Sequence, residues 1–306
     1  MHALVRTFLE DNLWPAVDSE LPDFVVSGPT ASGKSAFAAR LAERTGSEVV
    51  GCDAFQVYRG VPVLTAQPSE AEMAVVRHHL VGVLSVSEIS DAVWYAREAR
   101  RAIRSIHATR RRVILVGGTG FYLRSLLEGL SPDTPTGDEA LRAVLERMPL
   151  EELVAEVRAK DAEAASTMDL KNPRRVVRAV EVMRLSGRPF SSFRVDRVAH
   201  GVPGIRLSWD RSALWSRIER RTDAMLAGGA LDEVARAREF VRDGVGVCLA
   251  IGFREVGECL DGKRTLPETR DAIVIGTRQY AKRQTTWFRG QTAFAEVCGK
   301  SAEEWV

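Results

Sequence analysis

Gly28-Pro29-Thr30-Ala31-Ser32-Gly33-Lys34-Ser35 follows the spacing G-x-x-x-x-G-K-[ST]. In such a loop the glycines let backbone N–H groups turn toward a phosphate, the lysine supplies a point charge and the hydroxyl of Ser35 holds Mg²⁺. The flanks decide the fold. Phe24-Val25-Val26-Ser27 is an apolar run of strand length, and Phe37, Ala38, Leu41 and Ala42 fall on one side of a helix that begins after the loop. Strand, glycine loop, helix is the unit that puts a polyphosphate on a helix N-terminus. A second apolar run, Glu48 to Cys52, ends in Asp53, and a third, Val113 to Val116, ends in Gly117-Gly118-Thr119-Gly120. Continuous apolar runs of this kind are strands of a parallel sheet covered on both faces. The expected fold is therefore α/β: a P-loop NTPase-like parallel sheet with helices on both faces.

The residues at the ends of those strands suggest chemistry, because ligands of open α/β sheets sit beyond the strands' carboxyl ends. Asp53 would stand beside the phosphate loop as a general base or a metal ligand. An aspartate there also serves as a turn cap. Gln56 has the amide needed to read an adenine edge, and Phe55 or Tyr58 has a ring to stack on a base. The third strand carries no aspartate of the kind that holds Mg²⁺ in hydrolysing P-loop ATPases. Its glycines permit close backbone approach and Thr119 offers a hydroxyl. His78-His79 invites a metal reading, but adjacent residues converge poorly on one ion. The loop motif by itself admits ATP as well as any other polyphosphate.

Composition narrows the class. With 306 residues the chain holds one large or two modest domains, and a net charge of +2 neither demands nor excludes nucleic acid. The distribution of charge is more informative. Residues 131–170 contain ten acidic and four basic residues, whereas 171–200 contain eight basic and two acidic. The breaker-rich stretch from Ser131 to Asp138 opens this region. Asn172 and Pro173 then start a helix that Gly187 stops. Arg174, Arg175 and Arg178 fall on its first turns as a phosphate-backbone footprint, the alternative being a solvated face paired to the acidic half. Residues 1–22 form an amphipathic lead-in (Leu4, Phe8, Leu13, Trp14). Cys52, Cys248, Cys259 and Cys298 are scattered without a C-x-x-C, no apolar run is long enough to span a membrane, and no signal-type start is present. These features predict a cytoplasmic protein.

Taken in order, the motifs carry a resemblance. The phosphate loop, Asp53 to Gly60, Thr65-Ala66, His78-His79-Leu80, Gly117 to Tyr122, Asn172 to Val182, Ile251-Gly252-Phe253-Arg254-Glu255 and Arg278 to Arg289 resemble the tRNA dimethylallyltransferases, or isopentenyltransferases, over roughly residues 23–290. Three departures stand out: Ala54, Gln67 and Gly252-Phe253-Arg254 occupy positions where that family usually has serine, lysine and Gly-Tyr-Lys. Ala54 removes a hydroxyl near the acceptor base and Gln67 removes a phosphate contact.

The resemblance implies a core of residues 1–130 and 201–306 and a helical insert of residues 131–200 that grips the anticodon stem-loop of tRNA. It implies transfer of a dimethylallyl group from dimethylallyl diphosphate to the exocyclic amine of the adenosine 3′ of the anticodon. The diphosphate would lie on Gly28, Pro29, Thr30, Ala31, Ser32, Gly33, Lys34 and Ser35, with Mg²⁺ on Ser35. Asp53, Thr119 and Arg217 would be catalytic, with Arg221 as the alternative arginine. Asp53, Ala54, Phe55, Gln56, Arg174, Arg175, Arg178, Gly252, Phe253 and Arg254 would contact tRNA. A monomer is expected. The competing readings are a small-molecule or nucleotide kinase, which would consume ATP, and a nucleotide-gated RNA-binding protein, which would not need Asp53.

Overall fold

A computed structural model describes residues 2–10, 19–129, 131, 133–193 and 201–300. Its strands are β1 (Phe24–Ser27), β2 (Glu48–Cys52), β3 (His78–His79), β4 (Val113–Gly117), β5 (Gly204–Ser208) and β6 (Ala295–Cys298). They form one sheet in the order β3-β2-β4-β1-β5-β6, and every neighbouring pair is parallel. All residues of β1, β2 and β4 are buried, which is why these runs read as unbroken apolar sequence.

Alternate residues face opposite layers. Phe24, Val26, Val49, Ile114, Val116, Ile205 and Leu207 pack on Phe37, Ala38, Leu41 and Ala42 of the helix Lys34–Thr45, and on Val5 and Phe8 of the helix Ala3–Glu10. Leu13 and Trp14 of the expected lead-in lie outside the described residues. The other face carries the helix Ala92–Ala108, whose Tyr95 hydroxyl donates to the Gly51 carbonyl at 3.0 Å. Its N-cap is Asp91, and Ala92, Ala96, Ala99, Ile103 and Ile106 make the buried stripe. From β1 the chain steps over β4 to β2, returns to β4, and later fills β5 on the opposite side. The carboxyl end of β1 is thus the switch point at which such sheets bind ligands.

The chain divides into two compact units, residues 1–127 with 200–306, and residues 128–199. In the second, the helices Glu139–Leu145, Leu150–Lys160, Ala162–Thr167 and Pro173–Ser186 surround their own core of Leu145, Leu153, Val157, Val176, Val180 and Met183. Asn172 caps the last helix by accepting from the Arg175 N–H at 3.3 Å, and Gly187 closes it at φ 69°. Pro132, Arg194 and Arg197 lie outside the described residues. Among the described residues no helix is long and apolar enough to cross a membrane.

Candidate active site

The loop between β1 and the helix Lys34–Thr45 is pinned by side chains from the rest of the core. Gly28 sits at φ 149°, and a Cβ there would come within 3.0 Å of the Leu207 carbonyl and of Ser32 Oγ. The Ser32 carbonyl accepts from the Trp209 indole at 2.9 Å, and the Ala31 carbonyl accepts from Arg217 Nε at 2.8 Å. The Thr30 N–H donates to Gln284 Oε1 at 2.8 Å, and its hydroxyl contacts Arg221 Nη1 at 2.8 Å. Gly33 precedes the helix in the left-handed region, at φ 85°. Inside the loop the buried Ser32 hydroxyl has no hydrogen-bond partner among the described residues. An orphaned polar atom of this kind is costly unless a ligand completes it.

Lys34 is the loop's charge. Among the described residues its Nζ makes only a long bond, to the Pro29 carbonyl at 3.4 Å. Burial lowers its pKa to about 8, against the pull of Asp53, and the charge of Arg221 lowers it further. Burial likewise lowers the pKa of Arg221 while Asp53 raises it. A lysine, a guanidinium and a carboxylate therefore share one electrostatic site. Arg217, the arginine singled out from the sequence, is one turn away, with its guanidinium 4.3 Å above the Trp209 ring. Both arginines lie on the helix Arg211–Ala227 and face the loop, but it is Arg221 that acts on Lys34 and Asp53.

Asp53 leaves the end of β2 into a tight turn. Its Oδ1 accepts from the N–H groups of Phe55, at 3.0 Å, and Gln56, at 3.4 Å. Oδ2 accepts no hydrogen bond among the described residues, so the carboxylate is oriented by one oxygen and open at the other. Thr119, at the end of β4, accepts the Ala54 N–H at 3.0 Å, and its own N–H donates to the Cys52 carbonyl at 3.2 Å. The ends of β2 and β4 are thus tied together at the two residues with chemistry. Burial pushes the neighbouring Cys52 thiol up to about 12 and makes it inert at neutral pH. Burial also pushes the Tyr280 hydroxyl above the usual phenol range, assisted by the charge of Asp53.

Other sequence candidates are placed less simply. Gln56 donates its amide to the Ala66 carbonyl at 2.7 Å and to Thr65 at 3.4 Å, which leaves Oε1 as its open group. Bidentate reading of an adenine is therefore not preformed. Phe55 packs partly into the core, and the Gly252-Phe253-Arg254 stretch splits three ways. Gly252 sits at φ 103° as the N-cap of the helix Phe253–Leu260, Phe253 is buried in the core, and Arg254 is exposed beside Glu255 and Glu258. Gln67 donates to the Tyr58 carbonyl at 2.6 Å. His79 Nε2 is 2.6 Å from the buried Glu48, and His78 Nδ1 is 2.7 Å from the Val76 carbonyl. Among the described residues no group of three or more His, Cys, Asp or Glu side chains could hold a metal.

In the insert, Arg174 and Arg175 are exposed with no partner among the described residues. Arg178 is committed: it donates to Glu181 Oε2 at 2.5 Å and to the Pro135 carbonyl at 2.6 Å. Arg142 reaches the same fully buried Glu181 at 3.0 and 3.1 Å. Arg178 thus builds the insert, unlike the two arginines before it.

Two features were missed in the sequence. Glu233 is buried and accepts from the Val63 and Leu64 N–H groups, both at 2.8 Å, holding the short helix Pro62–Thr65 against which Gln56 rests. Gln284, on the long helix Leu266–Gln291, bonds both the phosphate loop and the Gly118 carbonyl.

Comparison with known proteins follows the same lines. A family model described as IPP transferase matches residues 56–291. The chain is 40% identical to tRNA dimethylallyltransferase 1 of Citrifermentans bemidjiense over 279 residues, covering 89% of this chain and 90% of that one. It is 41% identical to the tRNA dimethylallyltransferase of Geobacter metallireducens over 290 residues, covering 90% and 93%. The crystal structure of the tRNA isopentenylpyrophosphate transferase of Bacillus halodurans superposes with a TM-score of 0.68 at 32% identity, covering 92% and 93%. A eukaryotic dimethylallyltransferase captured acting on tRNA superposes with a TM-score of 0.79 at 25% identity, covering 92% of this chain and 75% of that one.

Proposed function

The chain belongs to the IPP transferase family, and we propose that it is a tRNA dimethylallyltransferase, which moves a dimethylallyl group from dimethylallyl diphosphate to the exocyclic amine of the adenosine 3′ of the anticodon. One observation supports this above the others. Lys34, Arg221 and Asp53 interact electrostatically at a phosphate loop whose buried Ser32 hydroxyl has no hydrogen-bond partner among the described residues. That arrangement provides for an anion and for a base side by side.

The diphosphate lies in the loop from Gly28 to Ser35, where N–H groups, the Ser32 hydroxyl and Lys34 receive it. Ser35 would hold the Mg²⁺ carried with it, which would supply Lewis-acid stabilisation of the departing oxygens. Lys34 and the pair Arg217 and Arg221 stabilise the negative charge that develops as the carbon–oxygen bond breaks. The adenosine is drawn out of its stack to reach the site, with Phe55 and Gln56 beside it. Its amine attacks the primary carbon of the dimethylallyl group. The carbon–nitrogen bond forms, diphosphate leaves, and the nitrogen's proton passes to the open Oδ2 of Asp53. Thr119 steadies the diphosphate end. Arg174 and Arg175, exposed and unpaired, contact the tRNA backbone, as does Arg254. The reaction runs on a monomer, and in the cytosol, in keeping with its tRNA substrate.

The test is incubation with labelled dimethylallyl diphosphate and total tRNA, followed by nucleoside analysis. Label on a single prenylated adenosine supports the reading. ATP turnover with a small-molecule acceptor, without labelled nucleoside, would replace it with the kinase reading. Binding of tRNA without transfer would replace it with the binding-protein reading.

A further inference from the structure

One face of the long helix Leu266–Gln291 meets both the phosphate loop and the turn after β4. Tyr280, Gln284 and Trp287 follow one another at spacings of four and three, which places them in a row. Tyr280 lies within the electrostatic reach of Asp53 and Thr119. Trp287 fills the space beside Gly120, where a Cβ would fall 2.4 Å from the indole. Between them stands Gln284, buried, with both ends of its amide in use. Oε1 accepts the Thr30 N–H at 2.8 Å, and Nε2 donates to the Gly118 carbonyl at 2.8 Å.

The two partners belong to different halves of the site. Thr30 is in the loop that receives diphosphate, and its hydroxyl contacts Arg221. Gly118 adjoins Thr119, which fixes the turn after Asp53 through the Ala54 N–H. The amide orientation is forced, because reversing it would set N–H against N–H and oxygen against oxygen. The fit is also sterically exclusive: a Cβ at Gly118 would fall 2.4 Å from Gln284 Nε2. A buried, fully satisfied amide between two loops fixes their separation, whereas a smaller side chain leaves a buried donor and a buried acceptor unpaired.

We propose that Gln284 is a positioning residue for the transfer: it sets the distance between the diphosphate loop and the Thr119–Asp53 end, and so aligns the departing carbon–oxygen bond with the amine and its base. The proposal rests on the prenyl-transfer reading above. Displacements of about 1 Å between reacting groups cost up to about 10²-fold in rate, so the effect belongs in the chemical step.

The experiment is single-turnover transfer at saturating dimethylallyl diphosphate and tRNA. Its amplitude counts folded sites and its rate constant reads alignment. Gln284→Ala is expected to lower the rate constant by about 10- to 100-fold, while the tRNA KM stays within about threefold. Gln284→Glu supplies a readout that a merely structural role would not move. Its ionised carboxylate keeps the bond to the Thr30 N–H but faces the Gly118 carbonyl with an oxygen. Its protonated form donates to that carbonyl and restores the bridge. The ratio of Gln284→Glu to wild-type rate constants should therefore rise as pH falls from 8 to 6. A ratio flat with pH overturns the proposal. So does a Gln284→Ala rate constant within about twofold of wild type, or a loss confined to amplitude. Absence of transfer by the wild-type chain would instead overturn the reading on which the proposal rests, so the two failures are distinguishable.

Discussion

Two helices carry arginines at the same spacing and use them in opposite ways. On the helix Arg211–Ala227, Arg217 and Arg221 are four residues apart and both turn into the phosphate loop, to the Ala31 carbonyl and the Thr30 hydroxyl. On the helix Pro173–Ser186, Arg174 and Arg178 are also four apart. There the first is exposed and the second is locked to a buried glutamate. Spacing puts each pair on one face. What that face meets decides whether a guanidinium serves chemistry, binding or packing. In the core the guanidinium groups converge on a loop whose Ser32 hydroxyl has no hydrogen-bond partner among the described residues. In the insert only the arginines without a carboxylate partner remain open to a phosphate backbone.

The largest expected effect is at the core end of the comparison. Removing the point charge in Lys34→Ala should abolish detectable transfer, because a P-loop lysine contacts phosphate as an isolated charge. Its pKa near 8 adds a pH dependence. Only the protonated amine attracts the anion, so pyrophosphate affinity should hold below pH 8 and weaken as pH rises above it. Lys34→Arg, which keeps its charge throughout this range, should bind pyrophosphate without that fall. Competition binding against labelled dimethylallyl diphosphate from pH 7 to 9.5 measures both. Equal pH dependence in the two proteins would remove Lys34 from the diphosphate site.

Asp53 comes next. The adenosine amine is a poor nucleophile, since its lone pair is delocalised into the ring, and it must lose a proton as the new bond forms. Asp53→Asn retains the shape and the Phe55 and Gln56 contacts but cannot take the proton. Turnover should fall by about 10²-fold or more, with tRNA and donor affinities within a few-fold of wild type. Near-normal turnover would exclude Asp53 as the base and favour proton loss to water. Collapse of both affinities would make it a structural residue.

The contrast also marks how far sequence reading reaches. Strands β1, β2 and β4 were legible because they are buried along their whole length and so lack any polar alternation, whereas the two-residue β3 and the partly exposed β6 were not. The insert's last helix was legible at both ends, from Asn172-Pro173 and from Gly187. The glycines after β4 permit the close backbone approach read from the sequence: a Cβ at Gly117 would fall 2.0 Å from the Cys52 carbonyl oxygen. A glycine does not say which side chain fills the space beside it, which at Gly118 is Gln284 and at Gly120 is Trp287. Gln284 itself lies 254 residues from Thr30, and no local pattern encodes such a contact. Arg178 was different: Glu181 stood three residues on in the sequence as a visible partner, and the footprint reading passed over it. Phe253 reads equally well as a stacking ring or a core residue until its burial is seen.

Glu181 sharpens the insert side. It is fully buried beneath Arg142 and Arg178. Burial pushes its pKa up, but the bonds from Arg178 and Arg142 outweigh this and hold it below the ordinary glutamate value. A depressed folded-state pKa stabilises above the unfolded value and is lost as pH falls through the folded one. Glu181→Gln should therefore destabilise the insert by about 1–3 kcal/mol at pH 7, read as a lower melting temperature, and the difference from wild type should shrink on acidification. Transfer at 25 °C should change little. An unchanged melting temperature would return Arg178 to the set of arginines available to RNA.

The smallest effect is the one that separates binding from packing on a single helix. The Arg174 and Arg175 side chains are exposed and have no partner among the described residues, so each is placed to displace a counterion from a phosphate. Arg174→Gln with Arg175→Gln should leave the melting temperature unchanged and flatten the salt dependence of tRNA binding, by about one unit of slope for each lost contact. Arg178→Gln should do the reverse, lowering the melting temperature while the slope stays near that of wild type. Donor affinity should be unaffected in both, because the loop from Gly28 to Ser35 lies in the other compact unit. The measurement is tRNA affinity across a series of salt concentrations, with a thermal melt of each protein. An unchanged slope in the double variant would make Arg174 and Arg175 an ordinary solvated face. A flattened slope in Arg178→Gln would mean that tRNA draws this guanidinium away from Glu181, and the line between packing and binding arginines would then be set by the ligand and not by the fold.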